Sequence, residues 1–139
     1  MADILVTGGG GFLGRHIVNL LLERGDSVSI FNRSRHEDLE SRGVECYCGD
    51  LRNPEDVNKA VEGKDAVFHV AAKAGVWGPV KDYYGINFTG SENVLNACKE
   101  FDVRKLIYTS SPSVAFGTEA IENGDPLSLL LPSLTLMMT

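Results

Sequence analysis

The chain is 139 residues long, 43% hydrophobic and 23% charged, a length that supports one domain with a real core and a composition that excludes a disordered or fibrous protein. Its 19 acidic against 13 basic residues give a net charge of −6 and leave no basic surplus for phosphate backbones or anionic lipid, which argues against nucleic acid or a membrane surface as main partner. Three cysteines make no disulfide framework, no signal-peptide pattern opens the chain, and the longest charge-free apolar run, residues 126–139, is too short and Pro-broken to span a bilayer, so a reduced, cytoplasmic protein is expected.

Ile4-Leu5-Val6 is a short apolar run closed by the glycines Gly8 to Gly11, and predicts a buried strand followed by a tight turn. From Phe12 the period changes. Leu13, Ile17, Leu20 and Leu21 recur at helical spacing until Gly25 stops the helix. Ser27–Phe31 and Val44–Cys48 predict the second and third strands, joined by a connection, 32–43, of weak helical character. Pro54 suits a first helical turn and opens a short helix to Val61. Ala66–Val70 predicts a fourth strand. Residues 82–100 predict a long helix with Tyr84, Phe88, Leu95 and Cys98 on one stripe, and Lys105–Tyr108 a fifth strand. Strands alternating with helices predict an α/β fold, a parallel sheet covered on both faces. After Gly117 the alternation ends. Residues 126–139 carry no charge and pack four leucines into one six-residue window. The stretch 118–139 therefore reads as an irregular or frame-altered tail outside the fold.

Thr7-Gly8-Gly9-Gly10-Gly11-Phe12-Leu13-Gly14 stands between a predicted strand and a predicted helix, the context a dinucleotide fingerprint requires. Gly8 permits the tight turn, Gly11 lets backbone approach a pyrophosphate, and Gly14 lets the helix pack close to the sheet. Free amides at the helix start would then face the phosphates.

The spacing Gly8-x-x-Gly11-x-x-Gly14 resembles the T-G-x-x-G-x-x-G turn of the extended short-chain dehydrogenase/reductases. Further matches follow in order: Gly49-Asp50-Leu51 resembles that family's adenine contact, and His69-Val70-Ala71-Ala72 its H-x-A-A segment beside the cofactor. Asn87 opens a run to Val94 similar to the family's N-x-x-G-T-x-N-[VL] helix, and Tyr108-Thr109-Ser110-Ser111 resembles the end of its fifth strand. Ala71 to Gly78 and Ser110 to Val114 look most like the 3β-hydroxysteroid dehydrogenase branch, which includes sterol dehydrogenase-like enzymes and 2-alkyl-3-oxoalkanoate reductases. The resemblance covers residues 1–117 and implies the N-terminal, incomplete part of a doubly wound Rossmann sheet of strand order 3-2-1-4-5. The fifth strand would then be an open edge, which invites association and leaves homo-oligomers open.

By the same resemblance, Gly8, Gly11, Phe12, Leu13, Gly14, Asn32, Arg33, Asp50, Leu51, Ala71, Ala72, Lys73, Asn87 and Ser110 are cofactor-side candidates. Relatives that use NAD place an acid at the end of the second strand. Here Asn32 stands there, followed by Arg33, Ser34 and Arg35. An amide does not repel a 2′-phosphate and an arginine can meet it bidentately, so NADP is expected, with NAD as the alternative. Ser111 is the candidate catalytic serine that orients a substrate carbonyl, with Ser110 next in line. The family's tyrosine, with a lysine four residues later, donates the proton. None of Tyr47, Tyr83, Tyr84 and Tyr108 has that lysine, and none lies beyond Ser111. The expected protein is an oxidoreductase of a sterol-like or long-chain keto or hydroxy compound, present as its cofactor-binding portion and inactive alone. A nucleotide-sugar epimerase or dehydratase, and a non-catalytic NADP-binding module, are the alternatives. Cys46 and Cys48 read as strand packing rather than a metal site. Cys98 reads as helix core, His16 as exposed, His36 as a loop residue, and His69 as a backbone anchor rather than a base. Trp77 is a candidate substrate wall.

Overall fold

The computed structural model describes residues 1–71 and 84–109. In chain order the elements are β1 (Asp3–Thr7), α1 (Phe12–Arg24), β2 (Ser27–Asn32), α2 (Glu37–Glu40), β3 (Glu45–Cys48), α3 (Pro54–Val61), β4 (Ala66–His69), a π-helical turn (Tyr84–Thr89), α4 (Gly90–Glu100) and β5 (Lys105–Tyr108). All strand pairs are parallel and the sheet runs β3-β2-β1-β4-β5, as expected from the sequence. The expected boundary at Gly117 and the tail 118–139 lie outside the described residues.

The sheet is apolar on both faces because its central strands alternate two sets of branched side chains. Ile4, Val6, Val28 and Ile30 point to one side and pack with Val18 and Leu21 of α1 and Leu39 of α2. Leu5, Phe31 and Val67 point to the other and pack with Val57, Ala60 and Val61 of α3 and Val94, Ala97 and Cys98 of α4. Burying each such aliphatic side chain contributes about 1.5–3 kcal/mol, so the two layers together fix the strand register. That register sets Thr7 beside Phe31 on one flank and His69 on the other. The β5 edge is the least covered: Ile107 and Tyr108 are 39% and 41% exposed.

Two helical expectations need correction. On α1 the buried residues are Gly14, Val18 and Leu21, whereas Leu13 and Leu20 are 46% and 65% exposed. The helix turns its Gly14 side to the sheet, since a side chain there would block the approach. A stripe drawn through the larger apolar residues is therefore rotated from the true one. Over the described residues the expected helix 82–100 begins as a π turn at 84–89 and becomes α-helical from Gly90, and residues 82 and 83 lie outside the described residues. A π turn takes up an extra residue and shifts the phase of everything after it. The buried face of α4 is Gly90, Ser91, Val94, Ala97 and Cys98, and Leu95 of the expected stripe is only half-buried.

Candidate functional site

A cleft of about 560 Å³ opens at the carboxyl ends of the strands. The glycine turn and the start of α1 line it with Gly8, Gly11, Phe12, Leu13 and Gly14. Phe31, Asn32 and Arg33 come from the end of β2, and Gly49, Asp50 and Leu51 from the segment after β3. Val70 and Ala71 follow β4, and Ile86 projects from the π turn. Crevices of this kind form where neighbouring connections leave the sheet on opposite faces, here between β1 and β4.

Backbone hydrogen bonds close the turn. Gly8 has φ +71°, donates its N–H to the Phe31 carbonyl at 2.8 Å, and accepts from the Gly11 N–H at 3.0 Å. A Cβ on Gly14 would lie 2.1 Å from the Gly8 oxygen and 2.8 Å from the Gly9 Cα, so the start of α1 rests directly on the turn. Gly11 is different. It is exposed, in extended conformation, and a Cβ there would meet only the Gly8 oxygen at 3.3 Å. Its bare Cα faces the cleft. Gly11 caps α1 without a side-chain hydrogen bond, and the first turn holds no acid. In α3, by contrast, Asn53 accepts from the Glu55 N–H and Glu55 and Asp56 occupy the first turn. Among the described residues the amides at the start of α1 thus have no side-chain cap or first-turn acid, and they are open to water or an anion.

Asn32 has one role fixed by geometry. Its side-chain oxygen accepts from the Gly10 N–H at 3.2 Å, which leaves its N–H₂ group as the donor it can present to a ligand. Arg33 is exposed at the rim and, among the described residues, is in no ion pair. Arg35 is turned away: its Nε and Nη2 fork onto Glu40 at 3.0 and 2.5 Å, which holds the Glu40 carboxyl below its ordinary value. His36 caps α2, and its ring occupies the space a Gly10 side chain would need.

Across the cleft, Asp50 is held down to about 2, chiefly by Arg52, whose Nη2 donates at 2.6 Å. It is a fixed negative charge at neutral pH. The next residue, Leu51, is tied to α4 by the Asn93 side chain, whose amide donates to the Leu51 carbonyl at 2.8 Å. Asn93 stands in the same motif as Asn87 and was given no role by sequence. Six residues earlier, Asn87 lies in the π turn, where its carbonyl accepts from the Ser91 hydroxyl at 2.6 Å. Asn87 is not among the described cleft walls, unlike the other described candidates.

His69 is buried in a polar chain that sequence reading did not assemble. Thr7 Oγ1 and His69 Nδ1 are 2.7 Å apart, and His69 Nε2 and Ser91 Oγ 3.0 Å. Thr7 Oγ1 also accepts from the Val70 and Ala71 N–H groups at 3.1 and 3.2 Å. The anchor of that backbone is therefore Thr7, not His69. Burial pushes the His69 ring down to about 4. Of the cysteines, Cys98 is buried as expected, Cys46 is half-buried, and Cys48 is exposed on the edge strand rather than packed. Ala72, Lys73, Trp77, Ser110 and Ser111 lie outside the described residues.

A doubly wound parallel sheet with a glycine turn between its first strand and helix defines a Rossmann-type protein of the short-chain dehydrogenase/reductase kind. More narrowly, the chain belongs to the 3-beta hydroxysteroid dehydrogenase/isomerase family, whose sequence pattern matches residues 5–131. It is 51% identical over 119 residues to a 2-alkyl-3-oxoalkanoate reductase of Shewanella oneidensis, covering 86% of this chain and 31% of that protein. It is 41% identical over 119 residues to the decarboxylating sterol-4-alpha-carboxylate 3-dehydrogenase of Mus musculus, covering 86% and 32%. Among solved structures it superposes on a Thermus thermophilus UDP-glucose 4-epimerase in complex with NAD, with a TM-score of 0.75 and 32% identity, covering 98% of this chain and 48% of that one. The chain spans about a third of the length of the curated relatives it matches. Among the described residues no helix is long and apolar enough to cross a membrane.

Proposed function

We propose that this chain is the cofactor-binding portion of a cytoplasmic NADP-dependent oxidoreductase acting on a sterol-like or long-chain keto or hydroxy compound, and that it is inactive alone. The observation that carries the reading is the cleft: uncapped amides of α1, the bare Gly11 Cα and the Asn32–Arg33 donor pair line one continuous groove. These residues fit a dinucleotide. The α1 start would hold the pyrophosphate, Asp50 and Leu51 the adenine, and Ala71, Ala72 and Lys73 the nicotinamide side. The bound cofactor supplies or accepts the hydride. Asn87 and Ser110 support the same site from the helix and strand motifs, and Ser111 would orient the substrate carbonyl. The proton-donating tyrosine and its lysine have no counterpart in this sequence after Ser111. Identity to a reductase and a dehydrogenase favours this reading over epimerisation, although epimerases share the fold.

NADP is preferred to NAD because both groups offered at the β2 end are donors. Asn32 holds the Gly10 N–H with its oxygen and offers its N–H₂ group, and a ribose 2′-hydroxyl finds no carboxylate there, whereas a 2′-phosphate finds an amide and a guanidinium. Fluorescence titration with NADPH and NADH tests this. Arg33→Ala should weaken NADPH about tenfold and leave NADH nearly unchanged, since a charge-assisted hydrogen bond contributes roughly 1.5–3 kcal/mol. Equal loss for both cofactors removes the phosphate role.

A further inference from the structure

We infer that His69 is a positioning residue whose neutral, Nε2-protonated ring sets the β4 edge of the cleft and the π turn in one fixed arrangement, and that dinucleotide affinity depends on this proton order. The inference rests on the cofactor reading of the cleft and extends it to residues the cofactor need not touch.

The order follows from counting donors and acceptors. Ser91 has one hydroxyl hydrogen, and it goes to the Asn87 carbonyl at 2.6 Å. Ser91 Oγ must then accept from His69 Nε2 at 3.0 Å, so Nε2 carries a hydrogen. Thr7 Oγ1 already accepts from the Val70 and Ala71 N–H groups, which uses both lone pairs, so its hydrogen goes to His69 Nδ1 at 2.7 Å. Each hydrogen has one place. A proton on Nδ1 would meet the Thr7 hydroxyl hydrogen, and relieving that clash would cost the Val70 or Ala71 bond. Around the ring stand Thr7 of β1, Ser91 of α4 and the Tyr108 ring of β5, its centroid 5.6 Å away. Among the described residues no charged side chain faces it. Burial accordingly disfavours the imidazolium.

What the chain holds is the cleft itself. The Ala71 backbone lies against Gly8, where a Cβ would come within 2.9 Å of the Ala71 Cα, so the Thr7 hydroxyl fixes the floor of the turn. At the other end, the Asn87 carbonyl sits one residue from Ile86, which lines the cleft. One neutral ring thus connects both walls.

The test uses the whole 139-residue chain. Ring nitrogen NMR reads the His69 tautomer without ligand, and NAD⁺ titration, free of a titrating 2′-phosphate, reads affinity in wild type, Thr7→Ser and Thr7→Val. Expected are the Nε2–H tautomer in wild type, affinity within about threefold for Thr7→Ser, and a loss of about tenfold for the isosteric Thr7→Val. In Thr7→Val the histidine should also titrate at higher pH, because the hydrogen bond to its neutral form is gone. An Nδ1–H tautomer, or Thr7→Val binding as wild type does, overturns the positioning role alone. A wild-type chain that binds neither NAD⁺ nor NADP⁺ overturns the cofactor reading and the positioning role with it.

Discussion

Replacing Gly14 and Gly11 separately by alanine should divide the glycine turn into a folding half and a binding half. At Gly14 the new methyl would start 2.1 Å from the Gly8 oxygen and 2.8 Å from the Gly9 Cα, against the 3.4 Å of ordinary contact. Every atom it meets is backbone, so nothing can rotate aside and α1 must lift by more than an ångström. Overpacking of this kind costs about 1–3 kcal/mol. Displacing the amides that would face the pyrophosphate by that distance weakens charge-assisted hydrogen bonds of about 1.5–3 kcal/mol each, a loss of about tenfold or more in affinity. At Gly11 the methyl would meet only the Gly8 oxygen at 3.3 Å, and the backbone is extended, which alanine adopts freely. The reduced entropy of the unfolded chain and the weaker cap nearly offset each other, so stability should move by less than about 1 kcal/mol. The methyl would nonetheless stand where a ligand must approach. Urea unfolding and NADPH fluorescence on the two variants check this. Gly14→Ala should lose both stability and binding, and Gly11→Ala binding only. A Gly14→Ala protein as stable as wild type would refute the packing argument, and a Gly11→Ala protein that binds normally would refute the ligand role of the bare Cα.

Three further outcomes concern His69, the cysteines and Asn93. The unfolded chain protonates His69 near its ordinary 6.5, whereas the folded ring is held at about 4, so the unfolded state takes up the proton first. Stability should be full above about pH 6.5 and fall by about 3 kcal/mol on acidification to pH 4; His69→Gln should lack that component of the slope, and an unchanged slope refutes it. Cys98 is buried, with its thiol pushed up to about 11 by desolvation, while Cys48 is exposed. Ellman's reagent at pH 8 should label Cys48 in the native chain and Cys98 only on unfolding; equal rates would contradict that burial. Asn93→Ala removes the bond that ties Leu51 to α4 and should cost about 1 kcal/mol in urea unfolding, with no loss arguing that water replaces the amide.

Much of this protein is written locally. The apolar runs of β1, β2 and β4 alternate with helices capped by Gly25 or opened by Pro54, and those signals act between neighbouring residues. The glycine turn is equally legible, because a positive φ at Gly8 and a bare Gly11 are demands a sequence position meets by itself. Asn32 and Arg33 were legible as a pair for the same reason, standing at the end of a strand. What the sequence could not determine depends on how segments and side chains meet in three dimensions. The π turn at 84–89 is a matter of phase between two packed segments, and it moved the buried stripe of α4 away from Leu95. The face of α1 was decided by Gly14 meeting Gly8, not by the size of Leu13 or Leu20. Arg35 was lost to Glu40 across a loop. His69 found Thr7 and Ser91 from 62 and 22 residues away. Short-range patterns select elements because backbone geometry is local, but a hydrogen-bond network with a single proton order exists only when three elements are packed to within 3 Å.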